Sequence, residues 1–211
     1  MLPQPMVLEG AHERRLGVID LVKRYKVIAF VGPSAAGKTS LVNELRQADP
    51  RFGSMLSVTT RAKRDTDLPG EYRYITVAHF SHLVATEQFL WTTNVHQNRY
   101  GTLRESMRQA LAAMRPTVMH LEPDCVPKLL AEAEEQACLF FITAPPHDLE
   151  RRIRVRDLDR SEEYYRERLD SCAQWEEQAR NSQWPYRFVN NGDGRLKQAL
   201  AEVMAHITRD D

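Results

Sequence analysis

The sequence predicts an α/β fold layered around a mainly parallel sheet, on three observations. Apolar, β-branched runs such as KVIAFVG (26–32) and CLFFIT (138–143) alternate with amphipathic helical stretches. A glycine-punctuated loop joins the first of those runs to the first helical pattern. The 211 residues suffice for one domain with a sizeable core and room for an insert.

Along the chain, residues 1–25 read as an arm, with GVIDLVKRY (17–25) forming a short helix before the first strand. KVIAFVG is apolar throughout, as a parallel strand covered on both faces must be. KTSLVNELRQA then places Leu41, Val42 and Leu45 at helical spacing. Further strands are expected at 55–59, 72–76, 117–121, 138–143 and 186–190. Further helices are expected at 77–88, 102–114 and 125–136, in the charged region from about 147 to 180, and at 194–207. The stretch from about 53 to 100 is richer in short strands and turns, which suggests a small subdomain inserted into the core.

Composition narrows the partners. Lysine plus arginine and aspartate plus glutamate are both 29, so nothing basic is set aside for nucleic acid. No apolar run reaches membrane-spanning length, and the first residues lack the charged start and apolar stretch of a secretory leader. Cys125, Cys138 and Cys172 lie far apart, as thiols of a reducing cytoplasm do, and His79 and His82 have no acidic or cysteine partner for a metal. A cytoplasmic protein acting on small molecules is expected, without nucleic acid or membrane.

Gly32-Pro33-Ser34-Ala35-Ala36-Gly37-Lys38-Thr39 matches G-x-x-x-x-G-K-[ST] between a strand and a helix. Backbone N–H groups from Gly32 to Ser40 would curl around the phosphates of a nucleoside triphosphate, an approach that glycine permits. Lys38 would reach the β- and γ-oxygens and Thr39 would ligate Mg²⁺, with the helix N-terminus adding its dipole. No Asn-Lys-x-Asp motif follows, as a GTPase would require, and VMHLEPD (118–124) only loosely resembles the acidic strand of an oligomeric ATPase. The chain's size suits a small kinase.

About 20 residues on comes SVTTRAKRDTDLPGEYRYIT (57–76). Ser57, Arg61, Arg64 and Tyr72 offer two guanidinium forks and two hydroxyls, a set suited to a phosphate monoester, although spacing alone also allows a solvated basic turn. The order of glycine loop, S-x-T-T-R-x-x-R, NRYGT (98–102) and the arginine-rich RRIRVRDLDRSEEYYRERL (151–169) resembles the guanylate kinase family, from about residue 26 to 207.

That resemblance implies a P-loop NTPase core (26–52, 101–146 and 184–211), a mixed-strand monophosphate-binding insert (53–100) and a helical lid (147–183). It implies transfer of the γ-phosphate of Mg-ATP to GMP or dGMP by a monomer or homodimer. Ser57, Arg61, Arg64 and Tyr72 would hold the acceptor phosphate, with Tyr100 touching it and Thr102 nearby. Arg152, Arg156 and Arg168 would close over the transferring group beside Lys38, and Asn190 would lie beside the adenine.

The sequence departs from the family's pattern in three places. Where the family has a guanine-reading glutamate, FLWTTN presents Trp91, which cannot accept a hydrogen bond. In VMHLEPD, His120 occupies the position of an acid that supports the Mg²⁺-side chemistry, and Glu122 that of an acid that helps bind the base. After Arg64 the loop is a residue short, leaving Asp65 or Asp67 as its acid. Two alternatives stay open: a ribose 1,5-bisphosphate phosphokinase, whose ending VNNGDGRLKQAL (189–200) resembles, and a non-catalytic binding module. The retained Lys38 and lid arginines weigh against the module.

Overall fold

The structure, a computed structural model, describes residues 24–208 apart from 66, 68 and 96. In chain order it forms β1 (Val27–Val31), α1 (Lys38–Ala48), β2 (Gly53–Ser54), β3 (Ser57–Thr59), β4 (Tyr72–Tyr74), α2 (Val77–Ala85), β5 (Phe89–Val95) and β6 (Asn98–Leu103). There follow α3 (Arg104–Ala112), β7 (Thr117–His120), α4 (Val126–Ala133), β8 (Ala137–Thr143), α5 (Pro146–Arg156), α6 (Glu162–Asn181), β9 (Tyr186–Asn190) and α7 (Leu196–Ile207). Of the expected arm and its helix, all but residues 24 and 25 lie outside the described residues.

The five-stranded sheet runs β2-β7-β1-β8-β9, and every pair in it is parallel. Its centre is fully apolar because helices cover both faces. Ile28, Phe30, Phe140 and Ile142 face α1 and α7, packing on Leu41, Leu45, Ala199 and Val203. Val27, Ala29, Val31 and Phe141 face the other way, toward Met107, Val126 and Leu129. At roughly 25 cal/mol per Å² of apolar area, these two layers dominate the folding free energy.

A second sheet, β4-β3-β6-β5, holds the inserted stretch: β3 and β4 are parallel, and the other two pairs are antiparallel. Its own small core is Val58, Phe80 and Phe89, with the Phe80 and Phe89 rings stacked at 4.6 Å. The Thr76 side chain caps α2 by accepting from the His79 N–H.

The elements differ from expectation where cleft-facing polar residues obscure the pattern. Strands β2, β5 and β6 were not expected individually, and of 55–59 only Ser57–Thr59 is a strand. Residues 102–103 belong to β6 rather than to the following helix. The charged region is two helices, because α5 stops at Arg156 and the Ser161 hydroxyl opens α6 by accepting from the Tyr164 N–H. Among the described residues no helix is long and apolar enough to cross a membrane, no acidic, histidine or cysteine cluster is arranged for a metal, and Cys125, Cys138 and Cys172 are buried and free.

Gly101 fixes how closely β5 and β6 pack. A Cβ there would stand 2.6 Å from the Phe89 ring and 3.0 Å from the Trp91 carbonyl. Gly101→Ala should therefore displace Phe89 and destabilise the protein by about 1–3 kcal/mol, read as a lowered midpoint in urea.

Candidate active site

The loop between β1 and α1 is wound through three left-handed positions, Gly32 (φ 137°), Ala35 (φ 64°) and Gly37 (φ 87°). Ala35 is not a glycine, and its conformation costs about 1–2 kcal/mol. The Lys38 ammonium donates to the carbonyls of Gly32 (2.6 Å) and Pro33 (2.9 Å) across the mouth of the loop. Burial lowers its pKa, and the nearby Glu122 carboxylate opposes that. From the far side the Asn191 amide donates to the Ala36 carbonyl at 3.0 Å.

The α5–α6 hairpin reaches the same loop through its arginines. Arg152 donates to the carbonyls of Ala35 (3.2 Å) and Asn191 (2.9 Å) and pairs with Asp193 at 2.8 Å. Arg156 and Arg168 both donate to the Ser34 hydroxyl, at 3.0 and 2.8 Å. Asp157 holds the two together: it accepts from Arg156 at 2.9 Å and from the Tyr164 hydroxyl at 3.0 Å, with Arg168 at 3.6 Å. Sequence spacing offers no means of assigning Asp157 this role, because its partners lie on both sides of the helix break.

Register in the second sheet assembles the acceptor side. Ser57 stands opposite Tyr72 on one neighbouring strand and Thr102 on the other, and Thr59 stands opposite Tyr100. Ser57, Arg64, Tyr72, Tyr100 and Thr102 line one cleft with Ser34, Ala35, Gly37, Lys38, Thr39, Ser40, Arg152 and Arg156. The cavity measures about 590 Å³.

Of the expected residues, Gly32, Ala36, Arg61, Arg168 and Asn190 lie outside the lining of this cleft. Gly32 and Ala36 shape the loop from beneath, and Arg168 lines the adjoining hollow beside Tyr164. Arg61 is committed elsewhere. Its fork takes both oxygens of Asp67, at 2.8 and 3.0 Å, and its guanidinium lies 5.2 Å above the Tyr72 ring. Asp67, rather than Asp65, is thus the acid of this turn, and it also accepts from the Arg64 N–H and the Tyr74 hydroxyl. Asn190 turns its side-chain oxygen to the Gly192 N–H, and its neighbour Asn191 lines the cleft instead.

Trp91, Thr93, His120 and Glu122 also line the cleft. His120 Nδ1 stands 3.0 Å from Glu71 Oε1, both side chains being largely buried. His120 Nε2 and Glu122 Oε2 are buried without a hydrogen-bond partner. Burial also raises the pKa of Glu122.

This geometry has relatives. The Guanylate kinase family model matches residues 24–208. The chain belongs to the guanylate kinase family. It is 36% identical over 184 residues to a guanylate kinase of Anaeromyxobacter dehalogenans, covering 86% of this chain and 79% of that one. It is 31% identical over 162 residues to one of Sodalis glossinidius, with coverages of 75% and 77%. The crystal structure of a guanylate kinase from Anaplasma phagocytophilum shares the fold, with a TM-score of 0.64 at 17% identity over 88% of this chain and 85% of that one.

For this guanylate kinase family member the acidic hubs make a pH signature. Burial would raise the Asp67 carboxyl, but bonds from Arg61, the Arg64 N–H and Tyr74 outweigh it and hold the carboxyl at about 2. The bond from Arg156 draws Asp157 down to about 2 as well. Both lie below the ordinary aspartate value near 4, so each stabilises the fold above that pH, and the contribution is lost as pH falls toward 2. Urea midpoints should drop steeply between pH 4 and pH 2. Asp67→Asn should be less stable at neutral pH, and its curve should be flatter through that window by about 2 kcal/mol or less.

Proposed function

We propose that the protein transfers the γ-phosphate of Mg-ATP to the phosphate of a nucleoside monophosphate, GMP or dGMP, yielding the nucleoside diphosphate and ADP. The observation that carries this is the single cleft into which both the phosphate loop and the Ser57, Arg64, Tyr72 and Tyr100 group open. A hydrolase needs only the first of these; a kinase of a phosphate monoester needs both.

The loop amides from Ala35 to Ser40 and the Lys38 ammonium would hold the donor phosphates. Thr39 suits Mg²⁺, for it lies in the first turn of α1 and lines the cleft, and this ion takes few protein oxygens alongside phosphates and water. Bound there, Mg²⁺ would neutralise charge on the β- and γ-oxygens. The Arg64 fork and the hydroxyls of Ser57, Tyr72 and Tyr100 would fix the acceptor phosphate. Burial and the Glu71 carboxylate raise the pKa of the Tyr72 hydroxyl, so it stays a donor. Arg61 acts through that ring, as a positioning residue.

An acceptor phosphate is already anionic and needs no base, so alignment and positive charge do the chemistry. Arg152, Arg156 and Arg168 supply that charge, gathered on the loop through Ala35 and Ser34. We place the enzyme in the cytoplasm as a monomer or homodimer acting on small molecules.

The test is ADP release with Mg-ATP across GMP, dGMP, AMP, CMP, UMP and ribose 1,5-bisphosphate. GMP or dGMP should be the best acceptor. Lys38→Ala should lower kcat by about two to three orders of magnitude, and Arg64→Ala should raise the acceptor KM by about tenfold or more. Turnover of ribose 1,5-bisphosphate with indifference to every nucleotide would overturn the assignment.

A further inference from the structure

Trp91 offers a guanine edge no acceptor, but other residues lining the cleft do. His120 ends β7 with an extended residue two positions on, Glu122, so the two side chains leave the same face of the chain. Each carries one buried polar atom without a partner, His120 Nε2 and Glu122 Oε2, and both residues line the cleft. A buried polar group left unmade costs free energy on the order of 1–3 kcal/mol, so such atoms mark where a ligand's polar edge belongs.

Glu71 decides what His120 offers there. A carboxylate only accepts, so the 3.0 Å contact requires the proton on Nδ1. When the ring is neutral, Nε2 then presents a bare lone pair. Magnesium is a poor match for that nitrogen, since it demands oxygen ligands. An N–H donor of the acceptor is the natural match.

Building on the kinase reading above, we propose that His120, oriented by Glu71, is a specificity-determining residue that accepts a hydrogen bond from the exocyclic amino group of the acceptor's base. With Glu122 it gives the cleft two buried acceptors. The matching ligand edge carries two adjacent donors, as the ring N–H and exocyclic amino group of a 2-amino-6-oxopurine do. An adenine edge, with one donor beside a ring acceptor, meets only half of it. Trp91, buried in the adjacent wall, supplies apolar surface.

Three variants separate recognition from scaffolding. His120→Asn keeps a donor for Glu71 but has no atom at the Nε2 position. His120→Gln places an acceptor near that position, and Glu71→Gln keeps an acceptor for Nδ1–H. Binding of GMP and of IMP, which lacks the amino group, is measured by calorimetry at pH 8, and turnover with Mg-ATP is measured in parallel. The wild type should bind GMP about tenfold or more tighter than IMP. His120→Asn should lose most of that ratio, in the binding constant and in the acceptor KM. His120→Gln and Glu71→Gln should keep most of it.

An unchanged GMP-to-IMP ratio in His120→Asn overturns the proposal, as does failure of the wild type to bind GMP at millimolar concentration. Binding discrimination that vanishes in His120→Asn, without turnover of any monophosphate, supports the proposal and overturns the kinase reading instead.

Discussion

At Gly32 the chain passes so close to β8 that a Cβ would stand 2.4 Å from the Ile142 carbonyl. Everything catalytic in this fold hangs from that approach. It lets β1 end flush between β7 and β8, so the loop emerges at the carboxyl edge of the sheet, where open α/β sheets place their ligands. From there Lys38 folds back on the Gly32 and Pro33 carbonyls, Asn191 holds the outer turn, and Ser34 receives two arginines. The loop is clasped from three elements that meet nowhere in sequence. That clasp accounts for an alanine at position 35 remaining in a left-handed conformation its side chain disfavours.

The acceptor side depends on the same logic one layer out. Asp67 draws in Arg61, the Arg64 backbone and Tyr74, and so shapes a turn that carries little apolar packing of its own. One arginine of the S-x-T-T-R-x-x-R motif is thereby consumed in building the site, which leaves the other to face the cleft. Two identical side chains three residues apart therefore do different work. The difference comes from a carboxylate whose position in the fold the spacing does not disclose.

This contrast shows how far the sequence could be read. The parallel core was legible because KVIAFVG and CLFFIT are apolar on both faces, and only a doubly covered sheet asks for that. The glycine loop was legible because few backbone paths suit its residues. Strands β5 and β6 were not, since FLWTTNV and NRYGTL mix core and cleft residues and so lose a clean alternation. Glu71 passed unnoticed for a related reason: it is an ordinary acid in a loop until β4 sets it against His120, 49 positions away. Asn190 and Asn191 likewise part company only in three dimensions, one bonding the Gly192 N–H and the other lining the cleft.

Trp91 has a further consequence. It is buried between the acceptor pocket and the second apolar layer, and Trp175 borders the hollow beside Arg168 and Tyr164. The third indole, Trp184, packs into that same layer. The chain therefore carries its own optical gauges, one indole in the acceptor wall and another against the arginine hairpin. Their ultraviolet emission responds to local polarity, so filling of the pocket and settling of the hairpin can be followed in solution without any attached dye, and told apart by replacing one indole at a time with phenylalanine.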